Sequence, residues 1–235
     1  MKKNYLCLVV LLTSIFLGSQ TPVSAEDMSS IGSASFIEND AQNPPVNPLD
    51  PDKPIEPTNP GTNGPLSIND ATNYQFGTQK MTDKAATYSA LLPEVVDKDT
   101  GEKSKVPHFV QITDNRGGEK GWKLEVRQDK PFTNKAGFSL KGTTISFSSI
   151  TAVSLVGGGT APQAPNEPVV IAGDSEQNVS LITAKPGSGG GSWGILFGEL
   201  KKGAESGVEL TVPGNTEKKE GIYSTTLTWT LVDSI

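Results

Sequence analysis

Reactive side chains are scarce in this 235-residue chain, which holds one cysteine, Cys7, and one histidine, His108. Cys7 lies inside an apolar run, Leu6 to Leu17, that follows Lys2 and Lys3 and gives way to Val23-Ser24-Ala25. That order is the charged, apolar and small-residue pattern of a secretory signal peptide, so residues 1–25 are expected to be removed and the mature chain to begin near Glu26. The mature chain then has no thiol, which excludes disulfides, a cysteine nucleophile and a lipid-modified cysteine. No later run approaches the roughly 18 apolar residues of a membrane span, so no transmembrane segment is expected. Loss of Lys2 and Lys3 takes the net charge from −6 to about −8, the wrong sign for nucleic acid or anionic lipid.

A lone histidine also limits chemistry. No G-x-S-x-G elbow accompanies His108, and flanking Pro107, Phe109 and Val110 suit a strand-edge histidine better than a catalytic base. One imidazole without thiolates is a poor start for zinc. Asp97-Lys98-Asp99-Thr100-Gly101-Glu102 sets alternate acids before a glycine but lacks the remaining ligand positions of a calcium loop, so a solvated turn is expected. Gly157 to Gly159 and Gly187 to Gly191 lack the Lys-Ser/Thr ending of a phosphate cradle and read as flexible connections. No metal, cofactor or catalytic residue is assigned, and paired carboxylates that meet only in space are the one enzymatic route left open, as a wall hydrolase would need.

What the chain does have is proline and strand pattern. Pro45, Pro48, Pro51, Pro54, Pro57 and Pro60 recur every third residue, the period of polyproline II, so residues 26–64 are expected to be a disordered segment ending in a semi-rigid, solvated spacer. From Leu66 onward short β-branched runs alternate with glycine, proline, asparagine and aspartate. Trp122 to Arg127, Thr143 to Phe147, Ile150 to Val156, Pro168 to Ile171, Val179 to Thr183 and Val208 to Val212 are the clearest strands. No helical stripe interrupts them, so residues 65–235 are expected to form one all-β domain, an antiparallel sandwich or barrel. The closing segment joins this pattern: Tyr223, Thr225, Leu227, Trp229 and Leu231 share one face of an expected core strand.

Two W-x-L segments stand out, Trp122-Lys123-Leu124 and Trp229-Thr230-Leu231. With Tyr223, Leu227 and Thr228 ahead of the second, and with LDPDKP, Gly64-Pro65-Leu66-Ser67-Ile68, Thr113-Asp114-Asn115-Arg116-Gly117, Trp193, Phe197-Gly198 and Val212-Pro213-Gly214, the chain resembles the WxL-domain surface proteins of low-GC Gram-positive bacteria. The ending Val232-Asp233-Ser234-Ile235 departs from relatives that carry a proline there. The resemblance implies a non-enzymatic module that binds peptidoglycan non-covalently. It also implies a membrane-anchored WxL-interacting protein and sortase-anchored surface proteins as partners in a surface complex. An adhesin-like module, engaging host matrix proteins or another surface protein with wall binding secondary, is the alternative.

The motif residues Trp122, Leu124, Tyr223, Leu227, Trp229 and Leu231 are either structural or wall-binding, and alternating strands favour core for both tryptophans. Leu92-Pro93-Glu94 is no sortase signal, so retention is expected to rest on the folded domain. Walls rich in anionic polymer repel a chain of about −8, so its contacts are expected to be neutral and to survive salt.

Overall fold

A computed structural model describes residues 26–41, 43–157, 159–199 and 205–233. The expected signal peptide, and the final residues Ser234 and Ile235, lie outside them. Residues 26–36 fall in a first unit and are exposed and without strands, and residues from Ile37 onward form a second.

Among the described residues of this second unit there is no helix, and every strand pairing is antiparallel. The strands are β1 (Val46–Asn47), β2 (Asp50–Pro54), β3 (Leu66–Ala71), β4 (Ala86–Ser89), β5 (Glu94–Val96), β6 (Lys103–Lys105), β7 (His108–Asp114), β8 (Trp122–Gln128) and β9 (Thr133–Asn134). There follow β10 (Thr144–Phe147), β11 (Ile150–Val156), β12 (Val169–Ala172), β13 (Val179–Ala184), β14 (Gly191–Glu199), β15 (Glu205–Ser206), β16 (Val208–Val212), β17 (Tyr223–Ser224) and β18 (Leu227–Asp233).

Three sheets carry the core, ordered β11-β14-β7-β3, β12-β10-β16-β4 and β13-β8-β18. Among the described residues no closed barrel forms, and the fold is sandwich-like. The alternating strands behave as their pattern requires: Trp122, Leu124 and Val126 of β8 are buried while Lys123, Glu125 and Arg127 are not. These side chains join Val110 and Ile112 of β7, Ile145 and Phe147 of β10, and Ile195 and Phe197 of β14 in one apolar cluster.

The proline segment departs from the solvated spacer expected of it. Its carbonyls and one apolar side chain have partners waiting on the domain, which an extended rod would leave unmet. β1 and β2 form a hairpin with Pro45 and Pro48 buried, and Ile55 bridges Asp97. The Val46 amide donates to Gln111 Oε1 at 2.9 Å, and Asn69 Nδ2 donates to the Asn43 carbonyl at 3.0 Å. Ile55, 1% exposed, packs with Val95, Val106, Phe109 and Leu196 in a second apolar cluster on the other side of the β7–β14 sheet. The segment thus roofs that sheet. Its prolines are tolerated because β2 lies in a two-stranded ribbon whose second edge needs no amide donor.

His108 differs too. It opens β7, an interior strand between β14 and β3, and is fully buried instead of lying at an edge.

Candidate functional site

The two W-x-L segments lie on neighbouring strands. β18 pairs with β8 over seven residues without a bulge, setting Trp229 opposite Val126, Leu231 opposite Leu124 and Asp233 opposite Trp122. Their surroundings differ, and the difference is local chemistry.

Trp122 is fully buried, with its indole N–H donating 2.9 Å to the Gly189 carbonyl. Trp193, on β14, donates in the same way to the Gly190 carbonyl at 2.9 Å. A buried indole N–H needs such a partner, and here consecutive carbonyls of one loop serve two tryptophans. The tract Gly187 to Gly191 is therefore a fitted cap, where a flexible connection was expected. Gly189 has φ +81°, and a Cβ there would stand 2.5 Å from Ala184 Cβ and 2.6 Å from Trp122 Nε1. Only glycine suits that position.

The Thr113-Asp114-Asn115-Arg116-Gly117 stretch fastens the same corner. Arg116 grips the Asp114 carboxylate with two nitrogens, Nε at 2.9 Å and Nη2 at 2.8 Å. Nη2 also donates to the Gly121 carbonyl just ahead of Trp122, and Nη1 donates to Asp233 at the end of β18. One guanidinium thus ties the ends of β7 and β18 to the start of β8. Its hydrogen bonds with Asp114, before those with Asp233, hold Arg116 even more firmly protonated than usual.

Trp229 is only half-buried. Phe197 stacks beneath it at 6.1 Å between centroids and Phe147 meets it edge-on at 6.0 Å, so one side of the indole is core. Its N–H makes no hydrogen bond among the described residues. Leu227 and Leu231, half-buried, pack against the same cluster, as fully buried Leu124 does. Tyr223 sits apart from the single closing strand expected. β17 pairs with β9, and the Tyr223 hydroxyl donates to the Lys219 carbonyl while accepting the Lys219 amide. The break comes at Thr225 and Thr226, which bond back to Lys130 and Asp129. Thr228 donates to Asp129, and that bond is the leading cause of a carboxyl pKa below the ordinary value.

Other groups offer less. His108 has Nδ1 3.1 Å from the Thr72 hydroxyl, its ring 4.7 Å from Tyr74, and Nε2 without a partner among the described residues. Burial pushes its pKa down to about 4, the Leu91 backbone pulling the other way without closing a hydrogen bond. A neutral, enclosed imidazole lacks access to a substrate. Asp97 accepts the amides of Asp99 and Thr100 in the β5–β6 turn, and the Thr100 amide leads the causes that hold its carboxyl below the usual range. Among the described residues no group of three His, Cys, Asp or Glu comes together to hold a metal.

A cavity of about 70 Å³ beside Asn47 and Glu102 is too small for more than a few waters. A cleft of about 560 Å³ between Ser139–Gly142 and Pro213–Glu217 has the volume for a sugar but no aromatic face in its lining. The half-open Trp229 on an edge strand is the better candidate contact.

Comparison with known proteins agrees with the motifs. A family model described as "WxL domain surface cell wall-binding" matches residues 23–234, which takes in the proline hairpin as well as both W-x-L segments. No curated protein and no solved structure matches the chain.

Proposed function

The chain belongs to the WxL domain surface cell wall-binding family, and from its place at the cell surface, bound to the wall, we propose that its ligand is peptidoglycan and that the two W-x-L segments divide the work. Trp122 serves the fold. Trp229 serves the ligand, offering to sugar rings or stem-peptide amides a half-open indole whose N–H has no partner among the described residues.

The observation that carries this reading is the fate of the two indole N–H groups. The first is sealed inside by the Gly189 carbonyl and the second is left to solvent. Stacking of an apolar sugar face on an indole, with one donor at its rim, is a neutral contact, and it suits a chain whose net charge opposes an anionic wall. Partner proteins of the surface complex, a membrane-anchored interacting protein and sortase-anchored proteins, would engage other faces of the domain.

The test is sedimentation with purified peptidoglycan as sodium chloride is raised. Binding that holds at high salt supports neutral contacts; loss of binding with salt contradicts them. Binding only when a partner protein is added would move the primary ligand from glycan to protein.

A further inference from the structure

The cleft between Ser139–Gly142 and Pro213–Glu217 carries uncompensated positive charge on a chain that is net negative. Lys141 lines one wall, and Lys218 braces the other, its ammonium donating to the Pro213 carbonyl at 3.2 Å and the Thr216 carbonyl at 3.0 Å. Neither lysine has a carboxylate partner among the described residues, and an ammonium held by neutral carbonyls keeps its full charge. The acid in the lining, Glu217, is met by Lys219 Nζ at 3.4 Å, and those two charges offset each other. Asp83 and Lys84, whose backbone packs on Gly214, add one charge of each sign, and Glu220 lies beyond the lining, exposed. The walls are tied to one another: the Thr216 hydroxyl donates to the Lys141 carbonyl at 2.8 Å, and the Thr216 amide to the Pro213 carbonyl at 3.2 Å. A site fixed in advance loses less freedom when a ligand enters.

We infer that this cleft takes the free carboxylate end of a peptide, and that on peptidoglycan it is the stem-peptide contact, separate from the sugar contact at Trp229. The inference rests on the peptidoglycan reading and names which part of that polymer enters the cleft. Its volume of about 560 Å³ falls within the ordinary range of small-ligand pockets, about 300 to 1,000 Å³. The lining has no aromatic face for a sugar, but it suits amides. The Asn215 carboxamide both donates and accepts, and the Ser139 hydroxyl, 2.9 Å from the Thr133 hydroxyl, keeps capacity for a further hydrogen bond. Lys141 and Lys218 supply the charge for the carboxylate. Salt screens charges beyond about 8 Å, so a group inside the cleft responds to these two lysines more than to the net charge. The same locality selects the ligand. A peptide terminus brings one carboxylate, whereas a phosphodiester polymer carries its next charges onto a surface that is negative elsewhere. An exposed ion pair contributes little affinity, so salt that weakens it leaves retention by the neutral contact in place.

Titration of the mature chain with diacetyl-Lys-D-Ala-D-Ala, followed by backbone amide NMR shifts, tests the cleft, because the only charge on this probe is its terminal carboxylate. The free acid should bind in the millimolar range and shift the amides of Lys141, Asn215 and Thr216. The same peptide closed as a C-terminal amide should bind about tenfold more weakly. Lys141→Gln should weaken the free acid by a similar factor and leave the amide form unchanged. Lys141 is exposed and gives only its backbone carbonyl to Thr216, so the melting temperature should hold. Equal binding of acid and amide overturns the proposal, as do shifts that bypass these residues. Glycerol phosphate binding the cleft more tightly than the free acid also overturns it, in favour of a phosphate ligand. Each of those results leaves the peptidoglycan reading standing if the chain still sediments with purified peptidoglycan. Binding of the free acid at the cleft by a chain that does not sediment with peptidoglycan upholds the cleft and rejects that reading.

Discussion

Trp122 and Trp229 share a W-x-L pattern and lie on neighbouring paired strands, yet one indole is sealed and the other half-open. β8 is the middle strand of its sheet, flanked by β13 and β18 and capped by a glycine loop that accepts the Trp122 N–H. β18 is the edge of its sheet, so the same motif there has a hydrogen-bonded strand on one side only. A repeated motif in a β domain thus marks two positions in the sheet, and position decides whether the residue holds the fold or remains free for a ligand.

The largest effects should come from breaking the sealed side. Trp122→Ala is expected to cost about 3 to 5 kcal/mol, read as a fall in the denaturant midpoint, because loss of a fully buried indole leaves a cavity and the Gly189 carbonyl without its donor. Arg116→Ala is expected to cost a similar 3 to 5 kcal/mol, since it strands the Asp114 carboxylate, whose side chain is 2% exposed. Rescue by Arg116→Lys should be partial, because an ammonium cannot reproduce the paired grip.

His108 supplies the next effect. Its folded pKa of about 4 lies below the ordinary 6.5, so the unfolded chain takes up the proton first. Stability is then full above pH 6.5 and is lost as pH falls toward 4, by about 3 kcal/mol in all. With no other histidine in the chain, His108→Gln should flatten melting temperature over that window, whereas an unchanged slope would assign it elsewhere. Trp229→Ala, on the open side, should cost about 2 kcal/mol, roughly half of a buried tryptophan's share, and still leave a folded chain.

The strands that alternate were legible in the sequence because alternation is what a half-wet sheet imposes, as in Trp122 to Arg127. β7 was not, because it is wet on neither face. Val110 and Ile112 enter the main core, while Phe109 and Gln111 turn to the proline hairpin, so polar and apolar residues are buried alike. The hairpin itself was hidden by its composition: a proline every third residue describes a free rod equally well, and what decides against the rod is Ile55 and the Gln111 amide, each on its own uninformative. Likewise the glycine tract has no side chains to announce that its carbonyls hold two indoles. The W-x-L segments were legible as strands, but nothing in the tripeptide distinguishes a central strand from an edge, so their difference in exposure had to come from the pairing of β18 with β8 alone.

Binding to purified peptidoglycan by Trp122→Phe and Trp229→Ala, each read beside its own melting curve, tests the division of labour most directly. Trp122→Phe keeps an aromatic in the core and should bind as the unaltered chain does, even with a lowered melting temperature. Trp229→Ala should remain folded and lose binding. Lost binding by Trp122→Phe at unchanged stability, with Trp229→Ala binding normally, would contradict the account.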